Sequence, residues 1–231
     1  MASTSVTECK TPAESVRELT FAGDDVCLAG QIDYPDISPP FSGYPLLFLL
    51  HNSGWCTRDK YDHYAETALS CGYAVFRWDK RGTGNSGAGG RGSTTQDSIM
   101  AYKTAINRPL IDKQRVVILA HGEGSLMLGH TFELFNHIQH PHGAILAGNM
   151  LDSCEILAID TTVQVIMAEN DWNDWQQYAD EACERHNESH NHGASFYVAP
   201  DANRMLMVKT DGGEVFHNGA GNAIYDWLQA I

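Results

Sequence analysis

Val117-Ile118-Leu119-Ala120-His121-Gly122-Glu123-Gly124-Ser125-Leu126 is the stretch on which the fold of this chain turns. An apolar strand runs into a turn with small residues at Ala120 and Gly124, and the turn opens into a helical pattern. This is the layout of a nucleophile elbow, which lifts a reactive side chain clear of a sheet on a strained strand-to-helix turn. The residue between the two small positions should be Ser, Cys or Asp. Here it is Gly122. The frame is present and its nucleophile is not.

On both sides of the elbow strands alternate with helices, the pattern of a parallel sheet covered by helices. Residues 16–21 and 26–32 read as an antiparallel pair joined at Gly23-Asp24-Asp25. Residues 46–50 form a continuous apolar run, as expected for a strand buried on both faces. Further strands are expected at 74–78, 116–119, 144–146, 163–167 and 195–198. Helices are expected at 61–71, at 95–107 with Thr94 or Thr95 as cap, and at 124–138, 172–185 and 220–231. Six glycines between Gly82 and Gly92 mark a loop. The segment between residues 147 and 162 is too short for a large lid. The expectation is one α/β domain over residues 1–231, with a loose segment at 1–14 and a mostly parallel sheet of about eight strands.

Composition narrows the function classes. The 231 residues carry a formal net charge of −14, and such a surface repels phosphate backbones and anionic lipid. Neither a nucleic-acid nor a membrane partner is expected. The N-terminus lacks the basic and apolar regions of a signal peptide, and no apolar run approaches the ~18 residues of a membrane span. The six cysteines (9, 27, 56, 71, 154 and 183) contain no CxxC, so free thiols, several of them buried, and a cytoplasmic location are expected. No pattern specifies an oligomeric state.

Four segments together resemble the α/β-hydrolase superfamily, of the lidless esterase and serine aminopeptidase kind, over nearly the whole chain. Leu49-Leu50-His51-Asn52-Ser53-Gly54 is similar to the family's strand-ending His-Gly turn, with Asn52 at a place where a positive φ usually calls for Gly. Asp79-Lys80-Arg81-Gly82-Thr83-Gly84-Asn85-Ser86 resembles Asp-x-Arg-Gly-x-Gly-x-Ser, whose role is structural, so Ser86 is not a nucleophile. The elbow is similar to Gly-His-Ser-Glu-Gly-Gly. Ser125 does not replace the missing nucleophile, because Glu123 and Met127 would then fill the small positions. The fourth segment supplies acid and base: Asp171 after an apolar strand, with Asp174 as alternative, and His217 before the last helix.

The resemblance implies a catalytic set of Gly122, Asp171 and His217, with the backbone N–H groups of Ser53 and Glu123 as oxyanion donors. In an intact triad the acid orients the imidazole, and the imidazole takes the nucleophile's proton. With Gly122 no acyl-enzyme forms. The family implies hydrolysis of a small carboxylic ester without cofactor or metal, in a form that is inactive or very weak. The surviving acid, base and donor segments favour a hydrolase that has lost its nucleophile. The alternatives are a non-catalytic ligand-binding relative and a lyase-type enzyme using His217 without a covalent step. Trp55, Trp172 and Trp175 flank the site segments and suit either an acyl pocket or core packing. Cys56 lies near the turn but has no identified base. His186, His190 and His192 have a spacing that suits a metal and equally the polar end of a helix.

Overall fold

The computed structural model describes residues 16–54, 56–171 and 176–231. Asp174 and the tryptophans at 55, 172 and 175 lie outside the described residues. Eight strands form one sheet: β1 (Val16–Gly23), β2 (Val26–Asp33), β3 (Tyr44–Leu50), β4 (Ala74–Trp78), β5 (Ile111–His121), β6 (Gly143–Ala147), β7 (Thr162–Ala168) and β8 (Ala194–Ala199). Their order is β1-β2-β4-β3-β5-β6-β7-β8. β2 pairs antiparallel with both β1 and β4, and every pairing from β4 to β8 is parallel.

Six α-helices cover the sheet among the described residues: α1 (Asp62–Ser70), α2 (Thr94–Ile106), α3 (Glu123–Asn136), α4 (Ser153–Leu157), α5 (Gln176–Ser189) and α6 (Asn218–Ala230). The period-2 geometry of the strands divides the core. Leu46, Phe48 and Leu50 of β3 face one layer with Val116 and Ile118 of β5, packed on α2, α3 and α5. Leu47 and Leu49 face the other layer with Val117 and Leu119, packed on α1 and α6. All seven residues of β3 are buried, which explains its unbroken apolar run.

The sequence expectations differ from the structure in identifiable ways. β5 begins at Ile111, because Asp112–Arg115, polar and partly exposed, still hold strand geometry ahead of the buried stretch. The α2 cap is Ser93, whose hydroxyl accepts from Gln96 N while its own N–H donates to the Gln96 side chain. A separate hairpin, β9 (Met207–Thr210) and β10 (Gly213–Phe216), has no sequence signature because its strands are only four residues long and largely exposed. The segment between β6 and β7 holds only the five-residue α4 and no cap domain. Among the five described cysteines, all free, only Cys183 is buried, fewer than expected.

Candidate active site

The site segments sit at the carboxyl ends of parallel strands, where α/β sheets place their ligands. Asn52 follows β3, Gly122 follows β5 and Asp171 follows β7, while His217 precedes α6. Gly122 has φ 54° and ψ −120°. That conformation lies outside the regions ordinary residues favour and costs a side-chain-bearing residue about 1–3 kcal/mol. The elbow backbone is therefore kept without the residue that usually bears its strain. Its carbonyl accepts from Ser125 N at 2.9 Å and from Ser125 Oγ at 2.6 Å, so Ser125 is a buried tie beneath the turn. A Cβ at Gly124 would lie 2.6 Å from the Leu50 carbonyl, which is why the elbow needs a small residue there.

The N–H groups of Ser53 and Glu123 converge on a single atom. Both donate to Oδ1 of Asn52, at 2.9 and 3.0 Å. A Cβ built on Gly122 would lie 2.5 Å from that same oxygen. The side-chain amide of Asn52 therefore takes up both donors and the space a side chain at residue 122 would need. Asn52 is not among the residues with positive φ, so its role is not the conformational one expected from sequence. Its backbone is fixed as well: its N–H donates to Tyr61 Oη at 2.8 Å and its carbonyl accepts from Lys80 Nζ at 2.6 Å. Burial lowers the Lys80 pKa below that of an ordinary lysine.

Asp171 and His217 are not hydrogen-bonded to each other. The Asp171 carboxylate, fully buried, is held by the Arg204 guanidinium through a forked pair, Nη2 to Oδ1 at 2.6 Å and Nε to Oδ2 at 3.1 Å. His217 is the N-cap of α6, where its Nδ1 accepts from Ala220 N at 3.0 Å. In its neutral form that bond leaves the ring proton on Nε2. A triad base needs the reverse, with the proton on Nδ1 facing the acid and Nε2 open to the nucleophile. The elbow and His217 also open on different clefts. Asn52, Ser53, Lys80, Glu123, Met127 and His130 line one of about 380 Å³ beside the elbow. His217 lines another of about 780 Å³ with Asn170, Asn203, Lys209 and Asn218.

Buried histidines underlie the turn. His51 Nε2 donates to the Trp78 carbonyl, and burial pushes its pKa down to about 3. His121 Nε2 donates to the Arg204 carbonyl at 3.1 Å, with its pKa lowered by burial to about 4. Both are neutral packing groups at pH 7. The glycine-rich loop is structural too. Ser86 Oγ donates to the Asp79 carbonyl at 2.6 Å and accepts from Ala29 N at 2.8 Å. Arg81 pins the loop through the buried Asp97 of α2 rather than through Asp79.

Residues 46–189, more than half of the chain, match the serine aminopeptidase, S33, family. The chain belongs to this family. The S33 match takes in Asn52, the elbow and Asp171 and ends ahead of His217. The chain has the α/β-hydrolase fold of its S33 relatives. It is similar to a putative α/β hydrolase of unknown function from Agrobacterium tumefaciens, with 14% identity, TM-score 0.71, and 92% of this chain and 94% of that one covered. It is similar to an esterase of Pyrococcus furiosus, with 15% identity, TM-score 0.65 and 96% of each chain covered. It is also similar to Est1E of Butyrivibrio proteoclasticus, solved with ferulic acid bound, with 13% identity, TM-score 0.65, and 92% and 98% covered. At these identities the likeness shows the fold alone. No match was found among curated protein sequences. No described helix is long and apolar enough to cross a membrane.

Sequence reasoning missed Arg204 and the side chain of Asn52. Arg204 lies in a polar loop with no local signal of an acidic partner 33 residues away. The signal at Asn52 was the residue itself, an amide beside two predicted donors.

Proposed function

We propose that this chain is a non-covalent member of the S33 family that binds a small acyl compound, an ester or its acid, in the elbow cleft. The observation that carries the reading is Asn52 Oδ1, which accepts from both Ser53 N and Glu123 N and stands 2.5 Å from a Cβ at residue 122. A substrate carbonyl would have to displace an amide already bonded twice. Asp171 and His217 add support, since each is committed to a different partner. Leu126 and Met127 give the cleft an apolar wall, and Lys80 and His130 give it polar groups. The free thiols suit a reducing compartment such as the cytoplasm. A second reading, an esterase disabled only at its nucleophile, draws on the elbow backbone that Gly122 preserves.

The test pairs turnover with binding. The unaltered chain receives short-chain chromogenic esters and a fluorophosphonate probe, and ferulic acid is titrated calorimetrically into the chain and into Met127→Trp. The proposal expects no turnover, no labelling, and binding that the tryptophan blocks. Ester turnover by the unaltered chain that His217→Ala abolishes would overturn it.

A further inference from the structure

At the opposite end of the sheet, Asp160, His190 and His192 draw together ligand atoms that all lie within 4.8 Å of one another. Asp160 stands in the loop before β7, and the two histidines follow the last turn of α5. The seven residues of β7 separate this cluster from Asp171 at the other end by about 20 Å. Nothing in the elbow cleft uses it.

Ring tautomers make the cluster more than a set of surface histidines. His190 Nε2 lies 2.9 Å from the Leu157 carbonyl, which only accepts, so the ring proton sits on Nε2. In a neutral ring Nδ1 is then a bare lone pair, and it faces Asp160 Oδ1 at 3.2 Å. His192 Nε2 donates to the same oxygen at 2.9 Å, so a metal at Nε2 requires that ring's proton to move to Nδ1. His190 Nδ1 and Asp160 Oδ1 are then two acceptors 3.2 Å apart, a contact that a cation or a shared proton relieves. A metal-ligating histidine characteristically gives its other N–H to a backbone carbonyl, which fixes ring orientation and raises basicity. His186 repeats the tie one turn earlier, with Nε2 on the Ile159 carbonyl at 2.9 Å and its ring 4.5 Å from that of His190. Separations fit as well. Ligands about 2.1 Å from a tetrahedral zinc stand about 3.4 Å apart, so the 3.2 and 2.9 Å contacts of Asp160 Oδ1 open by a few tenths of an ångström to admit the ion.

We propose that Asp160 Oδ1, His190 Nδ1 and His192 Nε2 bind one divalent cation of the zinc class, with water in the fourth position. Two imidazoles and one carboxylate suit Zn²⁺ better than Mg²⁺ or Ca²⁺, which prefer all-oxygen sets. The ion joins the loop before β7 to the end of α5, remote from the elbow.

The test uses untagged full-length protein stripped with a chelator and desalted. Co²⁺ is titrated while its visible ligand-field band is followed, and Zn²⁺ is then added in competition. The proposal expects one saturable equivalent, displaced by Zn²⁺, with a higher melting temperature in the metal-loaded protein. His192→Ala and Asp160→Asn each weaken binding at least about tenfold. Both leave the His186 and His190 carbonyl bonds in place, and metal-free melting confirms their folding. His137→Ala, at an exposed histidine outside the cluster, leaves the affinity unchanged. No saturable band in the unaltered chain, or equal affinity in His192→Ala and Asp160→Asn, overturns the site and leaves an ion pair between His190 and Asp160.

Discussion

The side-chain oxygen of Asn52 and the α-carbon of Gly122 exclude a side chain between them: a Cβ added at residue 122 would stand 2.5 Å from Asn52 Oδ1. Asn52 takes the N–H groups of both Ser53 and Glu123, and Gly122 leaves room for it. Glycine at 122 and asparagine at 52 thus fit one another sterically.

Serine at residue 122 alone should therefore not restore an esterase. Gly122→Ser meets Asn52 and takes on the positive-φ strain, and we expect it to lose about 2 kcal/mol of stability and to show no fluorophosphonate labelling. Asn52→Gly relieves the contact. A double-mutant cycle by urea denaturation should give a favourable coupling of about 1 kcal/mol between the two changes. Strictly additive effects would mean that the two positions are independent.

Arg204 holds a carboxylate that has no solvent exposure. Arg204→Ala leaves that buried charge without its guanidinium, and we expect a loss of about 3 kcal/mol in urea unfolding at neutral pH. Arg204→Lys should recover only part of it, because an ammonium cannot reproduce the forked geometry. A loss below about 0.5 kcal/mol for the alanine variant would show that the pair matters little.

His217 acts as a helix cap in this structure. His217→Ala should lower stability by about 1 kcal/mol, and His217→Asn, a strong N-cap residue, should restore it. Ligand binding in the elbow cleft should be the same in both variants. A general base would respond differently: asparagine would leave any turnover abolished while stability returned.

Acid should destabilise the fold before its carboxylates titrate. Burial lowers His51 to about 3, and His63 and His121 to about 4. The unfolded chain takes up these protons near pH 6.5 while the native state stays neutral, so stability is lost as pH falls from about 6.5 toward 4. Each group contributes up to about 1.4 kcal/mol per pH unit. Urea unfolding at stepped pH measures the slope, and His121→Gln should reduce it by one proton's worth. A flat profile across this window would mean that the three histidines charge in the native state.

The interior strands were legible because burial writes itself locally. β3 reads as seven apolar residues because both of its faces are covered, and the elbow reads as small residues because Gly124 passes against the Leu50 carbonyl. The β9–β10 hairpin was illegible because its exposed residues carry no such signature. Ser93 is hard to single out as the cap because Thr94 and Thr95 beside it are capping types too, and backbone geometry separates them.

By itself the sequence determined the alternation of strands and helices and the strand-turn-helix around Gly122, since each depends on residue type and short-range spacing. The tertiary structure decided what the polar groups do. Asn52 meets Glu123 across 71 residues and Arg204 meets Asp171 across 33, while His217 turns to its own helix rather than to the acid. Hydrophobic periodicity is a property of one segment. A hydrogen bond is a property of two, and its partner is chosen only when the loops at the ends of the sheet have docked.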